Sequence, residues 1–212
     1  MKKICLLLGT ALLLFITGCT SSITLTLNKN GSVTAEFSGA PGKGFKELLK
    51  ASVDSKDAEN KEVVFDTKAI KKELEKGGFT DVKASSQTGT DIYIKMTDPS
   101  RKSEYFTSGL VNVKNNKLKV VLSPANLKKF YESTDEQTVS YLDMLLSPVF
   151  NSDTMSEKEY IELVSSFYGK DVASEIEQSS VSLTIVNPDG KKSTHKIKMS
   201  RLLTLNETLQ LE

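Results

Sequence analysis

Few residues in this chain have the type and spacing to do chemistry. His195 is the single histidine among 212 residues, so a Ser-His-Asp relay would depend on it alone. It stands in KKSTHKIKMS with the strand parity of Ile197 and Met199. That predicts a partly buried strand residue, and no partner in the sequence gives its titration a purpose. GAPGKGF, residues 39–45, precedes a predicted helix whose N-terminus would suit an anion. It lacks the spacing and closing Lys-Ser/Thr of a phosphate loop, and a strand-to-helix turn accounts for its glycines and proline. NSDTMSEKE, residues 151–159, gathers Asp153, Glu157 and Glu159. It has neither the ligand spacing nor the central glycine of a calcium loop, and Ser156 with Glu159 reads as a helix capping box. The sequence therefore predicts no metal, no cofactor and no enzyme, with a hydrolase as the third reading.

Two softer patterns remain. Phe130, Tyr131, Tyr141, Met144, Phe150, Met155, Tyr160, Phe167 and Tyr168 fall in one predicted helical stretch. They predict core packing first and a cleft for an apolar ligand second. Lys117, Lys119, Lys196 and Lys198 alternate with Leu118, Val120 and Ile197 on predicted strands. Solvent-facing lysines guard sheet edges against aggregation. The sharper expectation for these four is contact with anionic headgroups or an acidic partner.

The N-terminus is more specific. Lys2 and Lys3 precede an apolar run from Ile4 to Ile16, and Thr17-Gly18 leads into Cys19. Charge, apolar run and small residues follow the order of a secretory signal peptide. The run is short for a bilayer-spanning helix, which needs about 20 residues. Ile16-Thr17-Gly18-Cys19 resembles the lipobox of bacterial lipoproteins. The resemblance implies a diacylglyceryl group on the Cys19 sulfur, cleavage just before Cys19 and often acylation of the new amine. Residues 1–18 would then be a signal peptide, and 194 of the 212 residues would remain. Cys5 would leave with the peptide and Cys19 would carry lipid. The processed chain would lack thiol chemistry, cysteine-bound zinc and disulfides. In that family the residue after the cysteine sorts the protein. Thr20, in place of an aspartate, favours an outer membrane where the organism has one.

Twenty-eight Lys and Arg balance 27 Asp and Glu, which argues against nucleic-acid binding. The balance is locally uneven. Residues 131–178 carry eleven acids and two lysines, whereas residues 191–201 carry five bases and no acid.

The elements that must hold these residues are mostly hairpins. Ile23, Leu25 and Leu27 alternate with polar residues, as do Val33, Ala35 and Phe37 beyond the Asn28–Gly31 turn. Val82–Ser86 with Ile92–Met96, and Leu110–Val113 with Leu118–Leu122, predict two more hairpins. NPDG predicts a fourth, between Val181–Val186 and Ser193–Met199. Helices are expected from Phe45 to about Val53, over Lys68–Lys76, and in three or four pieces across 124–178. The tail beyond Arg201 reads as a helical turn or as a strand from Thr208. The expected architecture is α+β: an antiparallel sheet of hairpins with a helical insertion near 124–178, forming one domain over 19–212.

The expected function is that of a lipid-anchored binding or interaction module at the cell envelope, facing away from the cytoplasm. A carrier or sensor of an apolar ligand, with its pocket in the helical insertion, is the alternative. The anchor would be short. Only Thr20, Ser21 and Ser22 separate Cys19 from Ile23, a reach of roughly 10 Å at full extension.

Overall fold

The structure is a computed structural model, and it describes residues 21–46, 65–133, 149 and 154–212. Alternating apolar and polar residues form β1, Ser21–Leu27, and β2, Val33–Gly39. Their turn closes through the Gly31 N–H donated to the Asn28 carbonyl at 2.9 Å, with Gly31 at φ +84°. Residues 43–46 open a helix, and the remainder of the one expected to reach Val53 lies outside the described residues.

Helix α1, Thr67–Lys76, starts one residue earlier than expected. Asp66 supplies the cap by accepting the Ala69 N–H at 3.0 Å. Strands β3, Thr80–Ser85, and β4, Ile92–Asp98, follow, then the short α2, Glu104–Thr107. Strands β5, Val111–Lys114, and β6, Lys117–Leu122, join through Asn115 and Asn116. Both asparagines have φ near +55°, the backbone that a two-residue hairpin turn requires.

Within the insertion, Ser123 caps α3, Pro124–Glu132, which has proline in its first turn. Ser156 and Glu159 form the expected capping box at the start of α4, Glu157–Tyr168. Helix α5, Lys170–Gln178, leads into the last hairpin, β7, Ser180–Val186, and β8, Lys192–Lys198. The tail takes both of its expected forms, helix α6, Met199–Leu203, and strand β9, Leu209–Leu211.

The fold is α+β, with a six-stranded sheet in the order β3-β4-β2-β1-β7-β8 and a three-stranded sheet in the order β5-β6-β9. Two details differ from a sheet of hairpins alone. Strands β1 and β7 pair in parallel, with Ser22 beside Ser182 and Leu25 beside Ile185, so the large sheet is mixed. A parallel pair needs a long crossover, and here the whole chain from the end of β1 at Leu27 to the start of β7 at Ser180 lies between the two strands. The β5–β6 hairpin also leaves the large sheet. Asp98 accepts N–H groups from Ser100, Arg101 and Ser103 at 3.0, 2.6 and 3.0 Å. This ends β4, turns the chain into α2 and starts β5–β6 as a second layer, which β9 completes.

Leu25, Leu27, Val181, Leu183 and Ile185 of the large sheet share one core with Leu118 and Val120 of the small sheet, and with Phe130, Tyr160, Val164 and Ile176 of the helices. A second cluster holds Ile70 and Leu74 of α1 against Val82, Ile92, Ile94 and Met96. Ala35 and Tyr105 pack against both clusters. Burying one such aliphatic side chain contributes about 1.5–3 kcal/mol. Among the described residues, no helix is long and apolar enough to cross a membrane.

Candidate functional site: an apolar cavity between the sheets

Strand alternation turns one face of the large sheet toward the small one. Ile23 and Leu25 of β1, Ala35 and Phe37 of β2, and Ile94 and Met96 of β4 line that face beside Leu183 and Ile197. Opposite them stand Val111, Val120 and Leu122 of the small sheet, Tyr105 and Phe106 of α2, and Leu127 and Phe130 of α3. The two walls do not meet everywhere, and they leave a cavity of about 160 Å³. Ala35 is one reason. Its methyl sits in register between Leu25 and Met96, shorter than either neighbour.

The few polar lining residues are well defined. Tyr105 stacks on Phe130 with ring centroids 5.0 Å apart and meets Phe79 edge-on at 6.4 Å. Burial pushes its phenol well above the usual tyrosine value, so it stays protonated. For Asp98, burial alone would raise the pKa, but the backbone N–H groups of Ser103, Arg101 and Ser100 outweigh it and hold the carboxyl below its ordinary value. Glu36 turns its side chain to the other face of the sheet, where it accepts hydrogen bonds from Lys95 at 2.9 Å and Tyr93 at 3.0 Å, and Lys95 holds its carboxyl low. Such an arrangement can strip water from an apolar group and hold it. Tyr105 lies in a one-turn helix with no amphipathic period, so the sequence carried no signal for it.

The residues singled out in the sequence scatter around this cavity. His195 faces inward from β8, opposite Leu183, and is not among the lining residues. Its Nε2 and Ser193 Oγ are buried without a hydrogen-bond partner among the described residues. Met199 starts α6 rather than extending the strand. His195→Gln should shift stability by no more than about 1 kcal/mol and leave ligand uptake unchanged. Thermal melting and binding measured together would check this, and lost uptake in a folded variant would refute it.

GAPGKGF does hold an anion, but one supplied by the protein. Gly42 and Gly44 donate their N–H groups to the Glu175 carboxylate at 2.8 Å each, and Phe45 donates at 3.4 Å. Glycine is required here by close approach. A Cβ on Gly42 would fall within 2.5 Å of the Glu175 carboxylate, and one on Gly44 would lie 2.8 Å from the Val172 nitrogen.

In NSDTMSEKE, Glu159 is engaged by the cap and Glu157 accepts from the Ser200 hydroxyl, while Asp153 lies outside the described residues. Among the aromatic and methionine set, Phe130 alone lines the cavity; Tyr141, Met144 and Phe150 lie outside the described residues. Among the described residues the cavity is walled mainly by the two sheets, and α3 contributes Leu127 and Phe130 to it.

The four lysines divide. Lys196 and Lys198 project from β8 on the outer face of the large sheet. Lys117 and Lys119 project from β6 of the small sheet, where Lys119 pairs with Glu212 at 2.8 Å. The apolar faces of both sheets meet in one core, so the two lysine pairs do not form one patch. Cys19, Thr20 and the segment before them lie outside the described residues. No protein-family model matches the chain, and no curated protein matches it either.

Proposed function

We propose that this chain is a bacterial lipoprotein, held at the cell envelope by lipid on Cys19, whose folded part is a non-catalytic binding module for an apolar ligand. It faces away from the cytoplasm, at an outer membrane where there is one. The cavity carries this reading. A void of about 150 Å³ lined by Leu, Ile and Phe stays dry and takes up a small apolar guest, and the cavity here measures about 160 Å³ with walls of the same kind. Each Å² of apolar guest surface removed from water contributes about 25 cal/mol. The alternation that builds the sheet also builds the receptor.

Filling the void tests it. Ala35→Leu adds methylenes between Leu25 and Met96, and it should abolish uptake of a small apolar probe while leaving the melting temperature equal or higher. Equal uptake by parent and variant, or none by the parent, would end the proposal.

A second reading is favoured by the opposite face of the large sheet. Lys83, Lys95, Lys192, Lys196 and Lys198 share it with Glu36. Such a face suits an anionic surface, where each lysine contributes about 1 kcal/mol, weakened by salt. Strand β1 begins at Ser21, two residues beyond Cys19, so the anchor keeps this sheet close to the membrane. Lys192, Lys196 and Lys198 changed together to Gln should weaken binding to anionic vesicles and not to neutral ones. Unchanged binding would make these lysines edge protection only.

A further inference from the structure

Two hydroxyl residues line the cavity, Ser103 and Tyr105. Among the described residues the buried Ser103 Oγ has no partner, and no hydrogen bond reaches the Tyr105 hydroxyl. The ring cannot easily turn away, because Phe130 stacks on it and Phe79 meets it edge-on. The phenol of Tyr105 is therefore a donor held in place on a mostly apolar lining, able to meet an acceptor on a guest.

Charge narrows the acceptor. Among the described lining residues Asp98 is the charged side chain on the cavity face, since Glu36 turns to the other face of the sheet with Lys95, and there is no Lys, Arg or His among them. A carboxylate guest would lose its hydration and face a like charge. An ammonium guest would find Asp98 already holding three N–H groups. The guest is therefore uncharged.

Size narrows the rest. The volume, about 160 Å³, falls below the roughly 300–1,000 Å³ of pockets for bulkier ligands. A space of this volume admits one short chain and excludes fused rings and paired chains.

We infer that the cavity takes an uncharged, single-chain amphiphile whose carbonyl or hydroxyl oxygen accepts a hydrogen bond from Tyr105. The inference rests on the reading of the cavity as a binding site, and it adds the ligand class and the residue that recognises it. Tyr105 is a specificity residue here, and the aliphatic walls supply the bulk of the affinity.

Three probes separate the possibilities: octanol, its apolar counterpart chloroheptane, and octanoate. Each is equilibrated with the full lipidated chain in lipid nanodiscs, and binding above protein-free nanodiscs is measured. Octanol should bind the parent more tightly than octanoate. Tyr105→Phe keeps the ring and its stack, and it should lower the ratio of octanol to chloroheptane affinity by roughly five- to tenfold, the effect of one hydrogen bond. An unchanged ratio, or octanoate binding better than octanol, would overturn the inference and leave the cavity reading standing. No binding of octanol or chloroheptane to the parent would overturn the cavity reading, and this inference with it.

Discussion

Glu175→Ala should destabilise the fold by about 2–4 kcal/mol, more than a typical surface substitution. Its carboxylate is the common acceptor for the N–H groups of Gly42, Gly44 and Phe45. These donors open a helix and have no intrahelical partner, so alanine would leave them together without an acceptor while also removing a charge favoured at that position. Glu175→Gln keeps one carbonyl oxygen and should cost about half as much. Gly44→Ala approaches the same junction from the other side, because its Cβ would press on the Val172 backbone, which has no rotamer with which to yield. Denaturant midpoints at unchanged slope would measure all three. A Glu175→Ala midpoint indistinguishable from the parent's would mean that water replaces the carboxylate without loss.

Cys19→Ser should change location outright. Two or more acyl chains bind a bilayer at about 0.8 kcal/mol per buried CH₂, so removing their attachment shifts partitioning by many orders of magnitude. The variant should incorporate no labelled fatty acid and should retain residues 1–18. Normal labelling and membrane partitioning of Cys19→Ser would contradict the lipoprotein reading. The lysines of β8 could then be tested without the anchor.

Local order was legible in the chain, and distant order was not. The alternation of Leu25 and Leu27 with Thr24 and Thr26, the Asn115-Asn116 turn and the Ser156–Glu159 cap each act over a few residues, and each formed as read. The parallel pairing of β1 with β7 joins residues far apart in sequence, and no periodicity reports which strand will lie beside which. The Glu175 clamp spans more than 130 positions, so the strand-to-helix turn read in GAPGKGF gave no sign that α5 supplies it with a carboxylate. The aromatic residues dense in the helical stretch predict core packing first and a pocket only second, and nothing in the sequence pointed to a cavity between the sheets. One contributor to it is Ala35, a small side chain whose meaning depends on the length of its cross-strand neighbours. Tyr105 lay outside every pattern, since a single turn of helix has no repeat to detect.

The placement of β1 has a mechanical consequence. Any pull on the chain ahead of Ser21 acts along the axis of a strand flanked on both sides, by β2 from Ser22 to Leu27 and by β7 from Ser21 to Thr26. Both ladders lie across the pull, so their hydrogen bonds are loaded in shear and must fail together. A pull on the edge strand β8 would peel its bonds one after another. A lipid on Cys19, as proposed here, would pass drag and traction into a strand held by a ladder on each side.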